Sequence, residues 1–350
     1  MIIQLPCAGW DVEQAEYVAK LLREEVPAPH QKGVQLLFRP NMLEAGAVYR
    51  EVLKRFDEGE VVTIHAPISP HKYHPLLNLV SHESVDFYKR MFDYFAQFKS
   101  DALVVVHGNV VYTHDEWQGS LRDYNFVREH IFGQLRNNLT TVLANAVNPV
   151  SIENMCFPLL GHTTYKPKEV PFDPTLITLE QVMDFLEQVP GVHFTFDTSH
   201  AGLSWSKVNY LVEKYGNDLT AADIDREELT GLYPEMVCKQ PDILDAFRKI
   251  DRVGAGSRIR FVQLSDYSGA WFAGSDKKPG KIFSEGHEVG KGDFGDTLYD
   301  LVRMIDREYS HVAVSVDVEA EDGKDRGLDP FLVRTEQIRS VRRIVEALGR

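Results

Sequence analysis

Short apolar runs recur along the chain, and several end in a residue able to hold a metal or move a proton. Val61-Val62-Thr63-Ile64 leads into His65, and Ala102–Val106 into His107. Val150-Ser151-Ile152 ends at Glu153, and Val192–Phe196 at Asp197. Ile259–Val262 leads to Gln263, and Val312–Val316 to Asp317. Two earlier runs, Ile2–Leu5 and Val34–Phe38, complete a set of eight. Runs of this length and continuity read as buried parallel strands.

Helical periodicity fills the intervals. Ala15, Val18, Ala19 and Leu22 share one face of a predicted helix over Val12–Val26. Further helices are expected near Leu43–Asp57, Glu83–Phe98, Leu179–Gln188, Phe294–Arg307 and Leu332–Leu348, with another stripe on Ile131, Leu135, Leu139, Val142 and Ala146. Alternating strands and helices argue for a parallel sheet, and eight repeats argue for a closed (β/α)8 TIM barrel. An open doubly wound sheet fits less well, because its first turn is usually glycine-rich and Pro6–Asp11 holds one glycine. The extra length falls in three segments, Asn154–Thr178, Ala201–Ser257 and Ser265–Asp293. They follow strands five, six and seven and are read as insertions at the C-terminal rim. Tyr165, Trp205, Tyr267 and Trp271 in them suit a pocket wall or the packing of the insertions themselves. Insertions of this size also suit contact with a second copy in a homo-oligomer.

A barrel places its chemistry at the C-terminal ends of its strands. Side chains alternate faces along a strand, so Glu153, Asp197, Gln263 and Asp317 converge at the mouth if their faces point inward. Three carboxylates in one place repel one another. A divalent cation removes that conflict, with Gln263 as a neutral oxygen ligand. An all-oxygen set suits Mg²⁺ or Mn²⁺. Glu319, one step beyond Asp317 on the same face, is the alternative ligand from strand eight. Each acid taken singly could equally cap a helix or pair with a base. His65 and His107 are read first as substrate contacts, then as ligands of a second, Zn²⁺-type site, and last as structural groups.

Composition narrows the partners. Net charge is −14, which disfavours nucleic acid, and no apolar run approaches the ~20 residues that span a bilayer. The N-terminus does not read as a signal peptide. Three dispersed cysteines, Cys7, Cys156 and Cys238, fit a reducing cytoplasm better than a disulfide framework. Lys166, Lys168, Lys277, Lys278 and Lys281 are available to an anion but read as solvated loops.

Specific strings then carry a resemblance: Ile64-His65-Ala66-Pro67, Val106-His107-Gly108, Ser151-Ile152-Glu153-Asn154, Asp197-Thr198-Ser199-His200-Ala201, Val262-Gln263-Leu264-Ser265-Asp266 and His287–Asp293. In this order they resemble the xylose isomerase-like barrels, which include sugar isomerases, epimerases and endonuclease IV-type nucleases. Gln263 stands where the nucleases carry a histidine ligand, and Ser284-Glu285-Gly286-His287 lacks their Asp-x-His pair. The hydroxypyruvate isomerase-like branch is the nearer match. The resemblance implies one barrel domain over residues 1–350 and one metal held by strands five to eight. It implies Glu153 and Asp317 as the acid/base pair, and His65, His107, His200 and His287 as substrate contacts. The implied reaction is isomerisation or epimerisation of a keto-sugar or related hydroxy-ketone through a metal-bound enediolate. A zinc-dependent phosphodiesterase acting on abasic DNA and a non-catalytic sugar-binding barrel are the alternatives.

Overall fold

The computed structural model describes residues 1–38, 46–57, 59–67, 79–80, 82–97, 101–108, 110–113, 119–155, 169–172, 176–227, 232–254, 256–268, 284–318 and 335–349. Its strands are β1 (Ile2–Ala8), β2 (Gln31–Leu37), β3 (Val61–His65), β4 (Leu103–Val106), β5 (Val110–Thr113), β6 (Val150–Glu153), β7 (Glu169–Phe172), β8 (His193–Asp197), β9 (Ile259–Leu264), β10 (Asp266–Ser268), β11 (Ser284–His287) and β12 (Ala313–Val316). Eight of them close a parallel barrel in the order β1-β12-β9-β8-β6-β4-β3-β2. This is the (β/α)8 architecture expected from the alternation.

Helices α1 (Val12–Glu25), α2 (Gly46–Leu53), α3 (His82–Ala96), α4 (Gly133–Leu143), α5 (Leu179–Gln188), α6 (Thr198–Tyr215), α7 (Ala221–Arg226), α8 (Ile243–Asp251), α9 (Thr297–Glu308) and α10 (Thr335–Leu348) accompany the strands. The stripe of α1 is buried as its spacing predicts, and Asp11 caps its N-terminus by accepting from Gln14 N at 2.9 Å. None of the described helices is long and apolar enough to cross a membrane.

Two features depart from the sequence reading. The segment Ala201–Ser257 is not a plain insertion, because α6, α7 and α8 occupy much of it. Helix α6 is buried on nearly every side through small and polar residues such as Ser199, Gly202 and Ser204, so it shows no clean stripe. Two antiparallel pairs, β5 with β7 and β10 with β11, were not anticipated. Trp205 and Tyr267 are buried packing residues, one of the two roles expected of them. The Trp205 indole donates to Ile177 O at 3.1 Å, and Tyr267 meets Phe294 edge-on. Tyr165, Trp271, Cys156, Glu319 and the five lysines lie outside the described residues.

The barrel interior is layered. Ile2, Phe261 and Ala313 form an apolar cluster at the lower end, with Val61 and Leu103 against it. Above lie Gln4, Gln35, Thr63, Ser151, Thr195 and Ser315, all buried. The strand-end residues form the top layer.

Candidate active site at the barrel mouth

Glu153 is the centre of this layer, 1 % exposed at the end of β6. Its Oε2 lies 3.1 Å from His107 Nε2 and 3.4 Å from His65 Nε2. Its Oε1 lies 3.3 Å from His200 Nδ1, which is also 3.7 Å from Asp197 Oδ2. Two groups of three therefore have ligand atoms within 4.8 Å of one another: His65, His107 and Glu153, and Glu153, Asp197 and His200. Asp317 follows β12, and its Oδ2 accepts from Gln263 Nε2 at 3.1 Å. It belongs to neither group of three. His287 ends β11 opposite Asp266 and is also in neither group.

Side chains extend the sheet ladder past the strand ends. Asn154 accepts from Asp197 N at 2.8 Å and donates to Asp197 O at 2.9 Å, so its amide imitates the next backbone pair between β6 and β8. Thr198 Oγ1 donates to Ser265 O at 2.6 Å and accepts from Ser265 N at 3.1 Å, which continues the β8–β9 pairing. These bonds tie the residues that follow β6 and β9 to β8, beside Glu153, Asp197 and Gln263. Asp197 Oδ1 accepts from His200 N at 2.8 Å and Ser199 Oγ at 2.9 Å, so it caps α6 and leaves Oδ2 toward the centre. The His200 ring is oriented by Asn154 O, 3.0 Å from Nδ1.

Electrostatics separates the acids. Burial pushes Glu153 up, but the charges and hydrogen bonds of His107, His200 and His65 overcome it and hold the carboxyl well below its usual range. Burial pushes Asp197 up to about 7, and the charges of Glu153 and Asp317 add to that against His200. Asp317 is raised by burial and by Glu153, against His65, Gln263 and His200. Burial depresses His107, whereas Glu153 more than offsets burial at His65 and raises it. The three histidines thus hold Glu153 down, while burial holds Asp197 and Asp317 up.

A divalent cation fits these residues on an observation independent of charge. Gln263 is 2 % exposed and its Oε1 has no hydrogen-bond partner among the described residues. A buried amide oxygen left this way calls for a ligand. His107 Nδ1 is also unpartnered, so it lacks the outer hydrogen bond that usually orients a metal-bound imidazole.

The sequence from residue 25 to 342 matches the xylose isomerase-like TIM barrel family. The chain belongs to this family. No curated protein matches it in sequence. Among solved structures it is similar in fold to a D-allulose 3-epimerase from Methylomonas sp., at 10 % identity and TM-score 0.55, over 99 % of this chain and 96 % of that one. It is also similar to mannonate dehydratase from Streptococcus suis serotype 2, at 12 % identity and TM-score 0.54, over 99 % and 94 % of the two chains. A third is the 3-keto-D-glucoside 4-epimerase YcjR from E. coli, at 14 % identity and TM-score 0.50, over 99 % and 98 %. At these identities the likeness shows the fold.

Proposed function

We propose that this barrel is a divalent-metal-dependent isomerase or epimerase of a keto-sugar or related hydroxy-ketone. The observation that carries the reading is the gathering of Glu153, Asp197 and Asp317 in one mouth beside the unpaired oxygen of Gln263. Family membership supports it, as do epimerases of D-allulose and of a 3-keto-D-glucoside among similar folds. Glu153, Asp197, Gln263 and Asp317 would hold the cation, and their oxygens suit Mg²⁺ or Mn²⁺. When bound, the cation supplies Lewis acidity that polarises a carbonyl and acidifies the neighbouring C–H.

Glu153 and Asp317 form the acid/base pair in this reading. Glu153, held ionised by three histidines, removes the proton from the carbon next to the carbonyl. The C–H electron pair forms a double bond to the carbonyl carbon as the carbonyl π pair moves onto its oxygen, which leaves an enediolate of the substrate. Asp317 returns a proton to the former carbonyl carbon or to the opposite face of the deprotonated carbon. His65 balances the charge of Glu153, while His200 and His107 contact substrate hydroxyls. Glu319 remains the alternative ligand from strand eight. The test is solvent-deuterium uptake at the carbon next to a ketose carbonyl, with Mn²⁺ added. No exchange across a broad ketose panel would remove the proposal.

A second reading has its own observation. His65 and His107 both aim Nε2 at Glu153 Oε2, a nitrogen-containing group that suits Zn²⁺. This would be a zinc-dependent phosphodiesterase for abasic DNA. It requires two or more zinc ions per chain and nicking of an abasic duplex. One equivalent or less by elemental analysis eliminates it.

A further inference from the structure

Beneath the mouth, unpaired polar atoms occupy one half of the barrel interior. Gln4 Oε1 on β1, both Gln35 amide atoms on β2, Thr63 Oγ1 on β3 and Ser315 Oγ on β12 have no partner among the described residues. Their residues are at most 1 % exposed. The four strands are consecutive around the barrel, in the order β12-β1-β2-β3. Gln4 stands in register with Ser315, and Gln35 with Thr63. The opposite half differs, because Ser151 and Thr195 satisfy each other there at 2.7 Å.

We propose that this half of the interior binds a cluster of ordered water molecules, which forms the floor of the mouth. Natural interiors rarely leave buried polar groups unpaired, and internal water is the usual partner when the site is polar. The donor and acceptor inventory selects the ligand. Gln35 offers an unpaired donor and an unpaired acceptor, Gln4 an acceptor, and the two hydroxyls either role. Water matches all of these. A monovalent cation would match the oxygens but would face the Gln35 amide hydrogens with like charge.

The backbone accommodates one of these side chains. Gln4 Nε2 reaches across β2 to donate to Val61 O on β3 at 3.2 Å. It can cross because β2 has Gly33 there, where a Cβ would lie 2.9 Å from Gln4 Cγ and 2.5 Å from Val61 O. The amide is thereby tied to β3 with Oε1 still unpaired. Ser315 lies two residues before Asp317 on the same strand face, and Thr63 two before His65. The water layer therefore sits directly under an acid and a base of the mouth. It gives them a polar floor closed to bulk solvent. This assignment does not depend on the reaction catalysed.

The test is water-¹⁷O magnetic relaxation dispersion on the full chain, which counts internal waters of long residence. The double variant Gln35→Met with Thr63→Val is expected to lose long-lived waters relative to wild type, and Ser151→Ala to lose none. An unchanged count in the folded double variant would overturn the proposal. Should that variant fail to fold, a high-resolution crystal structure of the wild-type chain decides. Ordered solvent within hydrogen-bond distance of Gln35 and Thr63 supports the assignment. Direct pairing of these side chains, or a site that takes up thallium in anomalous maps, overturns it.

Discussion

At the lower end of the barrel Ile2, Phe261 and Ala313 meet in an apolar cluster, while further along the same strands Gln263 and Asp317 meet at the mouth. Phe261 and Gln263 are two residues apart on one face of β9. The lower residues act through area removed from water and close packing. The upper ones are polar groups held where burial is costly. One strand thus carries apolar packing at one end and, in the proposed function, chemistry at the other, which is the division of labour in this barrel class. Substitutions two residues apart should consequently fail in different assays.

The sharpest contrast comes from Glu153→Gln. It removes the ionised acid at the centre of the mouth and should lower turnover by about 10²–10⁴-fold, read by steady-state kinetics on a ketose that shows deuterium uptake. Phe261→Ala should instead cost about 3–5 kcal/mol of stability in urea unfolding, while the folded fraction keeps its metal content. A Phe261→Ala protein that is fully folded yet metal-free would break the comparison.

A finer test concerns the side chains that extend the ladder. Asn154→Ala and Thr198→Val leave every proposed ligand in place but loosen the ties beside it, and should weaken metal affinity by about 10–100-fold in competition titration. Thr198→Ser keeps the hydroxyl and should keep most of the affinity. Equal losses in Thr198→Ser and Thr198→Val would assign the effect to packing instead.

The two ends should also titrate in different windows. In the metal-free protein Asp197 is protonated below about pH 7, because burial and the Glu153 and Asp317 charges raise it. Metal must displace that proton, so affinity falls as pH drops below this value, by about tenfold per unit for one displaced proton. At the lower end, burial and then the positive charges of Arg260, Arg258 and His311 push His193 from 6.5 down to about 4. The unfolded chain takes up this proton first as pH falls. The contribution of His193 to stability is therefore complete above pH 6.5 and declines toward pH 4. His193→Asn should flatten that part of the melting-temperature profile and leave the metal profile unchanged.

Much of this architecture was legible because buried parallel strands have few polar residues, so a polar ending is conspicuous. Glu153 and Asp197 end their strands, Gln263 lies one residue before the end of β9, and His107 and Asp317 fall one residue past theirs. Helix α1 was legible from its stripe; α6 was not, since burial on most sides erases the period that marks an amphipathic helix. The roles of Asn154 and Thr198 were hidden for a different reason. Their bonds run to residues 43 and 67 positions away, and an Asn or Thr after a strand reads as an ordinary cap or turn.

The sequence by itself determined the alternation of elements, and with it the barrel and the identity of each strand-end residue. These follow from local periodicity, which a chain carries without reference to its fold. Which strand ends face which was decided by closure. The curved sheet brings β3, β4 and β6 together so that His65 and His107 share one oxygen of Glu153, and it sets Gln263 against Asp317. Closure also set Ser151 against Thr195 as a bonded pair, while Gln35, Thr63 and Ser315 meet no such partner among the described residues. Contacts between residues tens of positions apart depend on strand tilt and register, and these exist only once the sheet has closed.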